Sequence, residues 1–230
     1  FDHAPQLEQE LRKAEKTELL EILKSTNMDS GEIAYIRQHK ALGLGHAVWC
    51  ARRLIGDEPF AVMLPDDVIA ADKPCLQQMV ESYEEIGGNM VAAMEVPADK
   101  ASSYGILDVQ EDMGSIVQVK GMVEKPKAED APSPYAAAGR YVLDRAIFDA
   151  LRRIPRGAGN ELQLTDAIAL LIEEGHPVHV VVHRGSRHDL GNPGGYLKAA
   201  VDFALERDDY GPELRRWLIE RLGLASGSAE

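Results

Sequence analysis

The chain has 230 residues, of which 45 % are apolar and 27 % are charged, and its formal net charge is −13. This composition is typical of a folded globular protein and excludes the disordered class. The length suits one large α/β domain or two small ones. The negative charge disfavours non-specific binding to nucleic acid, because nothing would balance the phosphate backbone. A few well-placed Lys or Arg side chains are still enough to bind a small phosphorylated ligand.

The cysteines and histidines predict no special chemistry. Cys50 and Cys75 are not part of a C-x-x-C motif, so we expect two reduced structural thiols rather than a zinc site or a disulfide. The seven histidines form no metal-ligand pair, and no G-x-S-x-G motif occurs. No apolar run reaches the roughly 18 residues of a membrane span, and no signal peptide is recognisable. We therefore expect a cytoplasmic protein without a membrane or nucleic-acid partner.

The first part of the chain predicts alternating helices and strands. The expected elements are an amphipathic helix over 6–25, a strand over 32–38, a helix over 45–55, a strand over 59–64, a helix over 75–88 and a strand over 89–96. The continuous apolar runs at 59–64 and 89–96 are typical of parallel strands that are buried on both faces.

The second part begins with a β-rich stretch and ends with helices. The expected elements are two strands within 104–119 around a turn at Asp112–Ser115, a strand over 121–126, a loop over 128–134, a strand over 135–143, a helix over 145–154 capped by Asp144, a loop over 156–161, a helix that contains Leu164 and Ile172, a buried strand over 177–182 and helices over 193–205 and 212–222. This order predicts one α/β domain with a mixed sheet and a β-rich insert.

A glycine pair precedes the helix predicted over 45–55. Gly43 and Gly45 match half of a dinucleotide-binding G-x-G-x-x-G motif, and acids follow at about the right distance, but Val48 replaces the third glycine. A purely structural turn is a second interpretation. The third is a nucleobase site, because glycine lets a flat ligand approach the backbone and the nearby Gln38 amide can read a base edge. The residues alone leave these three open.

Acidic and basic side chains follow two further strands. Asp66 lies in "MLPDDVIA", at the end of a predicted strand, where α/β sheets bind ligands and where carboxylates can hold Mg²⁺. Asp189 lies in "RHDLGNPGGY" and can complete such a site if the fold brings the two together. A helix cap is the alternative for each acid. Glu124 and Lys125 in "VEKP" can bind sugar hydroxyls and a phosphate, or can be a solvated surface pair.

Seven segments carry a family resemblance. In chain order they are "RQHKALGLGHAV", "MLPDDVI", "SYGI", "VEKP", "AAAGRYVL", "NELQLTDAI" and "RHDLGNPGGY". Together they closely resemble the bacterial UTP–glucose-1-phosphate uridylyltransferases, or UDP-glucose pyrophosphorylases, from Phe1 to about Ala204. Asn160 stands where the family usually has Gly and Ser103 where Arg is common, and neither departure implies a loss of function.

The resemblance implies a Rossmann-like three-layer α/β/α fold with a mixed, mainly parallel sheet, known as the nucleotide-diphospho-sugar transferase fold. It also implies roles for individual residues. Gln38 and the Gly43 backbone resemble the uracil-binding groups. Asp66 and Asp189 resemble the Mg²⁺ ligands, and Lys125 resembles the contact to the sugar phosphate. The expected glucose pocket consists of Tyr104, Gly105, Glu124 and Gly139.

One family feature is missing from this chain. These enzymes begin with a strand and a G-x-G-T-R loop that cradles the triphosphate, and nothing like it occurs here. Phe1-Asp2-His3 resembles the segment that follows roughly the first quarter of a family member, so we expect a fragment that alone is nearly inactive. Residues 1–206 are expected to form the catalytic domain, and 207–230 a C-terminal helix and tail that can contact another subunit of a homodimer or homotetramer.

The expected reaction joins UTP and glucose 1-phosphate to give UDP-glucose and pyrophosphate. A phosphate oxygen of the sugar attacks the α-phosphorus of UTP in line, so that positioning and charge neutralisation supply the catalysis. Three alternatives stay open: a related nucleotidyltransferase for another base or sugar, a metal-dependent glycosyltransferase with the acidic pair after a strand, and a non-catalytic module that binds a nucleotide sugar.

Overall fold

The computed structural model describes residues 3–111, 116–183 and 185–223, and these divide into two compact units, one up to His39 and one from Lys40. The first unit contains helices α1 (Pro5–Lys13) and α2 (Thr17–Ser25). The single helix predicted over 6–25 is wrong, because the chain turns at Glu15, whose φ is 55°. The strand predicted over 32–38 is also wrong, since this part of the chain pairs with no strand among the described residues.

The second unit contains eight strands and six α-helices in the part of the chain that the structure describes. The strands are β1 (Phe60–Met63), β2 (Asp67–Ala70), β3 (Asn89–Glu95), β4 (Gly105–Glu111), β5 (Ile116–Glu124), β6 (Tyr135–Leu143), β7 (Val178–Val182) and β8 (Ser186–Asp189). The helices are α3 (Leu44–Ala51), α4 (Cys75–Ile86), α5 (Ala146–Arg153), α6 (Leu164–Glu173), α7 (Pro193–Leu205) and α8 (Gly211–Leu222). Short 3₁₀ turns lie at Ala98–Ser103, Ala128–Asp130 and Ala158–Asn160.

Six of these strands form a central sheet in the order β1-β6-β3-β7-β5-β4, and β4 also pairs with β6. β3 and β7 pair in parallel, whereas the other described pairs are antiparallel. The expected mixed sheet is therefore confirmed. Four of the six described strands, β1, β3, β7 and β4, run in the same direction, as expected of a mainly parallel sheet. β6 and β5 run the opposite way between them, so among the described pairs β3–β7 alone is hydrogen-bonded in parallel.

Helices cover both faces of this sheet. Along β3, Val91 and Ala93 point to the face that α3, α5 and α6 cover, whereas Met90 and Ala92 point to the face under α4. Successive strand residues point to opposite faces, so a strand with no polar side chain between its apolar ones needs a layer on each side. The three-layer α/β/α arrangement follows from that pattern.

Several predicted boundaries change in the structure. The strand expected over 121–126 is the last part of β5, and the turn expected at Asp112–Ser115 lies outside the described residues. β1 is not buried on both faces: its residues alternate between half-buried and exposed, and it pairs antiparallel with β6. The capping role predicted for Asp144 is confirmed, since its Oδ1 accepts the Ala146 N–H at 2.8 Å.

Other expectations concern thiols and membrane spans. Cys50 is half-buried and Cys75 is buried, and both are free thiols. Burial raises the pKa of the Cys75 thiol, which favours a structural rather than a reactive side chain. Within the described ranges, no helix has both the length and the apolar character that crossing a membrane requires.

Candidate active site

A two-stranded ribbon brings the distant acidic segments together. β2 pairs antiparallel with β8, and Asp67 lies opposite Asp189 in this ladder. One more backbone hydrogen bond, from the Leu190 N–H to the Asp66 carbonyl at 2.7 Å, continues the pairing past the strand ends. Neither strand was predicted from the sequence, yet their pairing is what places Asp66 near Asp189.

The carboxylates of Asp66 and Asp189 flank a single point beside Gly191. A Cβ atom on Gly191 would lie 3.0 Å from Asp66 Oδ2 and 3.1 Å from Asp189 Oδ1. Asp189 Oδ1 also accepts the Gly191 N–H at 2.9 Å. A side chain at this position would enter the space between the two acids and crowd both carboxylate oxygens.

Asp67 lies deeper than Asp66 and forms an ion pair with Arg187. Its carboxylate packs against Gly139, which has a φ of 64°. Burial raises the pKa of Asp67, although the positive charge of Arg187 opposes this shift. Gly139 was expected in a sugar pocket, and the structure adds a packing reason for it: a Cβ at Gly139 would lie 2.8 Å from Asp67 Cγ.

A second buried guanidinium group holds the backbone around Asp66. Arg140 donates to the carbonyls of Leu64, at 2.9 Å, and of Gly139, at 3.0 Å, and it also donates to the carbonyl of Asp67. The two carbonyls on either side of Asp66 are thus bound by one side chain. This arrangement fixes the short turn between β1 and β2.

The end of β5 presents a carboxylate and an ammonium group to the same region. Glu124 Oε2 accepts the Thr165 hydroxyl at 2.6 Å, which orients it. Lys125 Nζ lies 3.6 Å from Glu124 Oε1, and about half of the lysine side chain is exposed. Lys125 has a φ of 47°, a conformation that non-glycine residues rarely adopt and that is often found at functional sites. Its N–H donates to the Tyr104 carbonyl at 2.9 Å.

The glycine loop before α3 packs closely on the segment that precedes α6. The Leu162 N–H donates to the Leu42 carbonyl at 2.7 Å, and the Gly45 N–H donates to the Leu162 carbonyl at 2.9 Å. Cβ atoms at Gly43 and Gly45 would lie 2.8 and 2.6 Å from that same carbonyl oxygen. Close packing against Leu162 therefore explains why both positions are glycine. It does not decide whether the loop also binds a nucleobase. Gln38 belongs to the first unit.

A cavity of about 320 Å³ collects most of the predicted site residues. Among its lining residues are the predicted Asp66, Tyr104, Gly105, Glu124, Lys125, Gly139 and Asp189. Gly43 does not line it, but its neighbour Leu44 does. Larger cavities, of about 740, 690 and 510 Å³, lie at α4, at the end of α3 and at α1 and α2, and they contain none of the predicted residues. We therefore take the 320 Å³ cavity as the candidate active site because of the side chains that line it, although it is not the largest cavity.

The acidic pair suits a divalent cation. No group of three or more His, Cys, Asp or Glu side chains able to hold a metal is found among the described residues. Mg²⁺ is commonly bound by only one or two carboxylates together with substrate phosphates and water, and it prefers hard oxygen ligands. Asp66 and Asp189, which flank one point, fit that mode of binding.

Several residues that line this cavity were not predicted as site residues, and Asp67, Thr165 and Arg187 are the ones whose polar side chains contact others there. Two signals were available. The first is that Asp67 stands beside Asp66 in the same acidic segment. The second is that Arg187 is two residues before Asp189, so Arg187 and Asp189 would share a face on a strand. Without the β2–β8 pairing, however, neither signal indicated which residues would meet.

Comparisons with known proteins agree with this geometry. The nucleotidyl transferase family matches residues 3–206. The chain is 42 % identical to UTP–glucose-1-phosphate uridylyltransferase YngB of Bacillus subtilis, over 96 % of this chain and 73 % of that protein. It is 45 % identical to the UTP–glucose-1-phosphate uridylyltransferase of Komagataeibacter xylinus, over 84 % of this chain and 67 % of that protein.

Solved structures give the same result. A UTP-bound UGPase from Acinetobacter baumannii is 33 % identical with a TM-score of 0.86, covering 96 % of this chain and 76 % of that one. A UDP-glucose pyrophosphorylase complexed with UDP-glucose is 34 % identical with a TM-score of 0.76, covering 85 % of this chain and 73 % of that one. The family match, the identities and the shared fold together show that the chain belongs to the nucleotidyl transferase family, alongside the bacterial UTP–glucose-1-phosphate uridylyltransferases.

Proposed function

We propose that this protein transfers a uridylyl group from UTP to glucose 1-phosphate, releasing pyrophosphate and forming UDP-glucose. The observation that supports this most directly is the 42–45 % identity, over most of the chain, to proteins named for that reaction. The convergence of acidic and basic groups on one cavity is consistent with a reaction between two phosphorylated substrates. A cytoplasmic enzyme that acts on soluble metabolites remains our expectation.

In the proposed mechanism, the protein aligns two anions that repel each other. A phosphate oxygen of glucose 1-phosphate attacks the α-phosphorus of UTP, the bond to the β-phosphate breaks, and pyrophosphate leaves with the electron pair. Lys125 binds the attacking phosphate, and its ammonium group offsets the negative field of a chain whose net charge is −13. Glu124, which Thr165 orients, keeps the lysine beside the sugar pocket.

Nucleotidyltransferases of this kind generally use a divalent metal ion, and we propose Mg²⁺, with Asp66 and Asp189 as its ligands. A divalent ion held by these two carboxylates would supply neutralisation of phosphate charge and polarisation of the α-phosphate. Arg140 holds the backbone on either side of Asp66, and the Gly191 N–H orients the Asp189 carboxylate. Among the described residues, no basic side chain forms an ion pair with either carboxylate.

Different residues are proposed to recognise the two substrates. Gln38 and the Gly43 backbone are proposed to bind uracil. Tyr104, Gly105, Glu124 and Gly139 are proposed to bind glucose, and all four line the cavity that also contains the acidic pair. Glu124 is a suitable acceptor for sugar hydroxyls, because one of its oxygens is already bound to Thr165 and fixes the orientation of the other.

The test is a coupled assay of pyrophosphate release, performed on the protein as its gene encodes it. UTP with glucose 1-phosphate and Mg²⁺ should give the highest kcat/KM among UTP, dTTP and ATP and among hexose 1-phosphates. A preference for another pair would indicate a related nucleotidyltransferase, and release of UDP from UDP-glucose in the presence of an acceptor would indicate a glycosyltransferase. Tight UDP-glucose binding by calorimetry without turnover would indicate a non-catalytic binding module.

A further inference from the structure

Asp67 and Arg187 form a buried ion pair for which the proposed reaction has no direct use. Their side chains are only 8 % and 9 % exposed. Burying two charges costs much of what their attraction returns, so such a pair is weak evidence of stabilisation and is better explained by control of register or geometry. The surroundings of the pair indicate which geometry it controls.

The pair crosses the ribbon that carries the two metal-binding candidates. Asp67 lies opposite Asp189, and Arg187 lies opposite Ile69, so the ion pair runs diagonally from β2 to β8 on one face. A ribbon of two four-residue strands has little stability of its own. Since Asp66 directly precedes β2 and Asp189 ends β8, a cross-link between these strands determines how the two carboxylates face each other.

Arg187 also reaches the proposed sugar pocket. Its guanidinium carbon lies 5.0 Å from the centre of the Tyr104 ring, and its Nη1 lies 3.4 Å from the Tyr104 hydroxyl. Asp67 in turn fills the space over Gly139, another residue assigned to glucose. One ion pair therefore contacts both the acidic pair's ribbon and the wall of the sugar pocket.

We propose that Asp67 and Arg187 are positioning residues, which set the spacing of the Asp66 and Asp189 carboxylates and hold Tyr104 against the sugar pocket. This inference rests on the proposed function, because it assigns a divalent cation to the acidic pair and a sugar to the pocket. Neither Asp67 nor Arg187 needs to touch a substrate. The pair transmits its effect through the β2–β8 register and through the stacking of Arg187 on Tyr104.

The first experiment measures binding of Mn²⁺ by the EPR signal of the free ion, with UDP-glucose present and a protein-free control. Asp67→Asn and Arg187→Met should each weaken Mn²⁺ binding by about 10-fold or more, as is typical when residues that orient metal ligands are lost. Arg153→Met is the matched control, because it breaks the exposed Arg153–Glu174 pair far from the cavity. The control should bind Mn²⁺ like the parent.

The double variant Asp67→Asn/Arg187→Met separates positioning from stability. A single substitution leaves one buried charge unpaired and can prevent folding, whereas the double substitution removes both charges and relieves that penalty. We expect the double variant to unfold near the parent's temperature and still to bind Mn²⁺ about 10-fold more weakly. A folded double variant that binds Mn²⁺ as tightly as the parent would overturn the proposal.

A third variant, Arg187→Lys, tests the link to Tyr104. Lysine keeps the charge but lacks the planar fork that stacks on the ring. Its KM for glucose 1-phosphate should rise several-fold, whereas the KM for UTP should stay near the parent's; an equal rise in both would contradict the link. If the parent makes no UDP-glucose while the variants lose Mn²⁺ affinity, the proposed function fails and the positioning role stands. If the parent makes UDP-glucose while the variants keep the parent's Mn²⁺ affinity, the proposed function stands and the positioning role fails.

Discussion

The substitution Gly139→Ala should destabilise the protein far more than its size suggests. The φ of Gly139 is 64°, and the new Cβ would lie 2.8 Å from Asp67 Cγ and 2.9 Å from Asp67 Cβ. Real Cβ atoms are essentially never found that close to another heavy atom, so the Asp67 side chain must move. Because Asp67 is buried and paired with Arg187, this movement pulls the ion pair apart.

Two costs add up in this variant. An L-residue in the left-handed region loses about 1–2 kcal/mol. Removing one partner of a buried ion pair costs about 3–5 kcal/mol, so a separation that loses about half of that adds roughly 2 kcal/mol to the conformational cost. We expect a decrease in the free energy of unfolding of at least about 3 kcal/mol, which for a chain of this size lowers Tm by about 6–12 °C.

The control for this prediction is Gly223→Ala. Gly223 has the same φ, 64°, and a ψ of 25°, which is the left-handed region, but a Cβ there would meet nothing within 4 Å. This variant should lose only the conformational cost of about 1–2 kcal/mol. Urea unfolding followed by circular dichroism compares the two variants with the parent. Equal losses in both would refute the reasoning, because they would show that Asp67 yields to the new methyl group without cost.

Three further predictions follow. Asp66→Asn, Asp189→Asn and Lys125→Ala should each lower the rate of UDP-glucose formation at least ~100-fold, about 2.7 kcal/mol of barrier, in the gene-encoded enzyme; steady-state rates near the parent's would reject the assigned roles. Burial and nearby guanidinium groups lower the pKa of His183 in the fold. Only the unfolded chain then binds a proton on the His183 imidazole, so the free energy of unfolding should decrease as pH drops below about 6.5. His183→Gln should reduce this dependence on pH, as measured by urea unfolding at several pH values. Trp217, which is 55 % exposed on α8, is proposed to contact a second subunit. Light scattering should show a dimer or tetramer that dissociates in the Trp217→Glu variant. A molecular mass in solution that Trp217→Glu leaves unchanged would contradict this proposal.

The local elements of the second unit were largely predictable. Continuous apolar runs identified β3 and β7, helical spacing identified α6, and Asp144 was recognisable as a cap. Such signals act over a few residues, so they are readable without knowing the rest of the fold. The direction of pairing was not readable, because an apolar run looks the same beside a parallel or an antiparallel neighbour.

The candidate site shows where prediction from the sequence ended. Asp66, Glu124, Lys125 and Asp189 were identifiable as chemically suitable side chains in motif-like segments. The resemblance to a known family, not the spacing, supplied the idea that they act together. Asp67 was considered only as the neighbour of Asp66 in an acidic pair and received no role of its own, since nothing local distinguishes a buried partner of an arginine from a helix cap.

By itself, the sequence determined the fold class, the family and the residue types available for phosphoryl chemistry, because these depend on local periodicity and on short ordered motifs. Only the tertiary structure decided that Asp66 and Asp189 flank the same point, and that Asp67 lies buried against Arg187. The reason is physical. Those contacts depend on the β2–β8 ladder, whose strands lie far apart in the chain and are too short to be recognised before they pair.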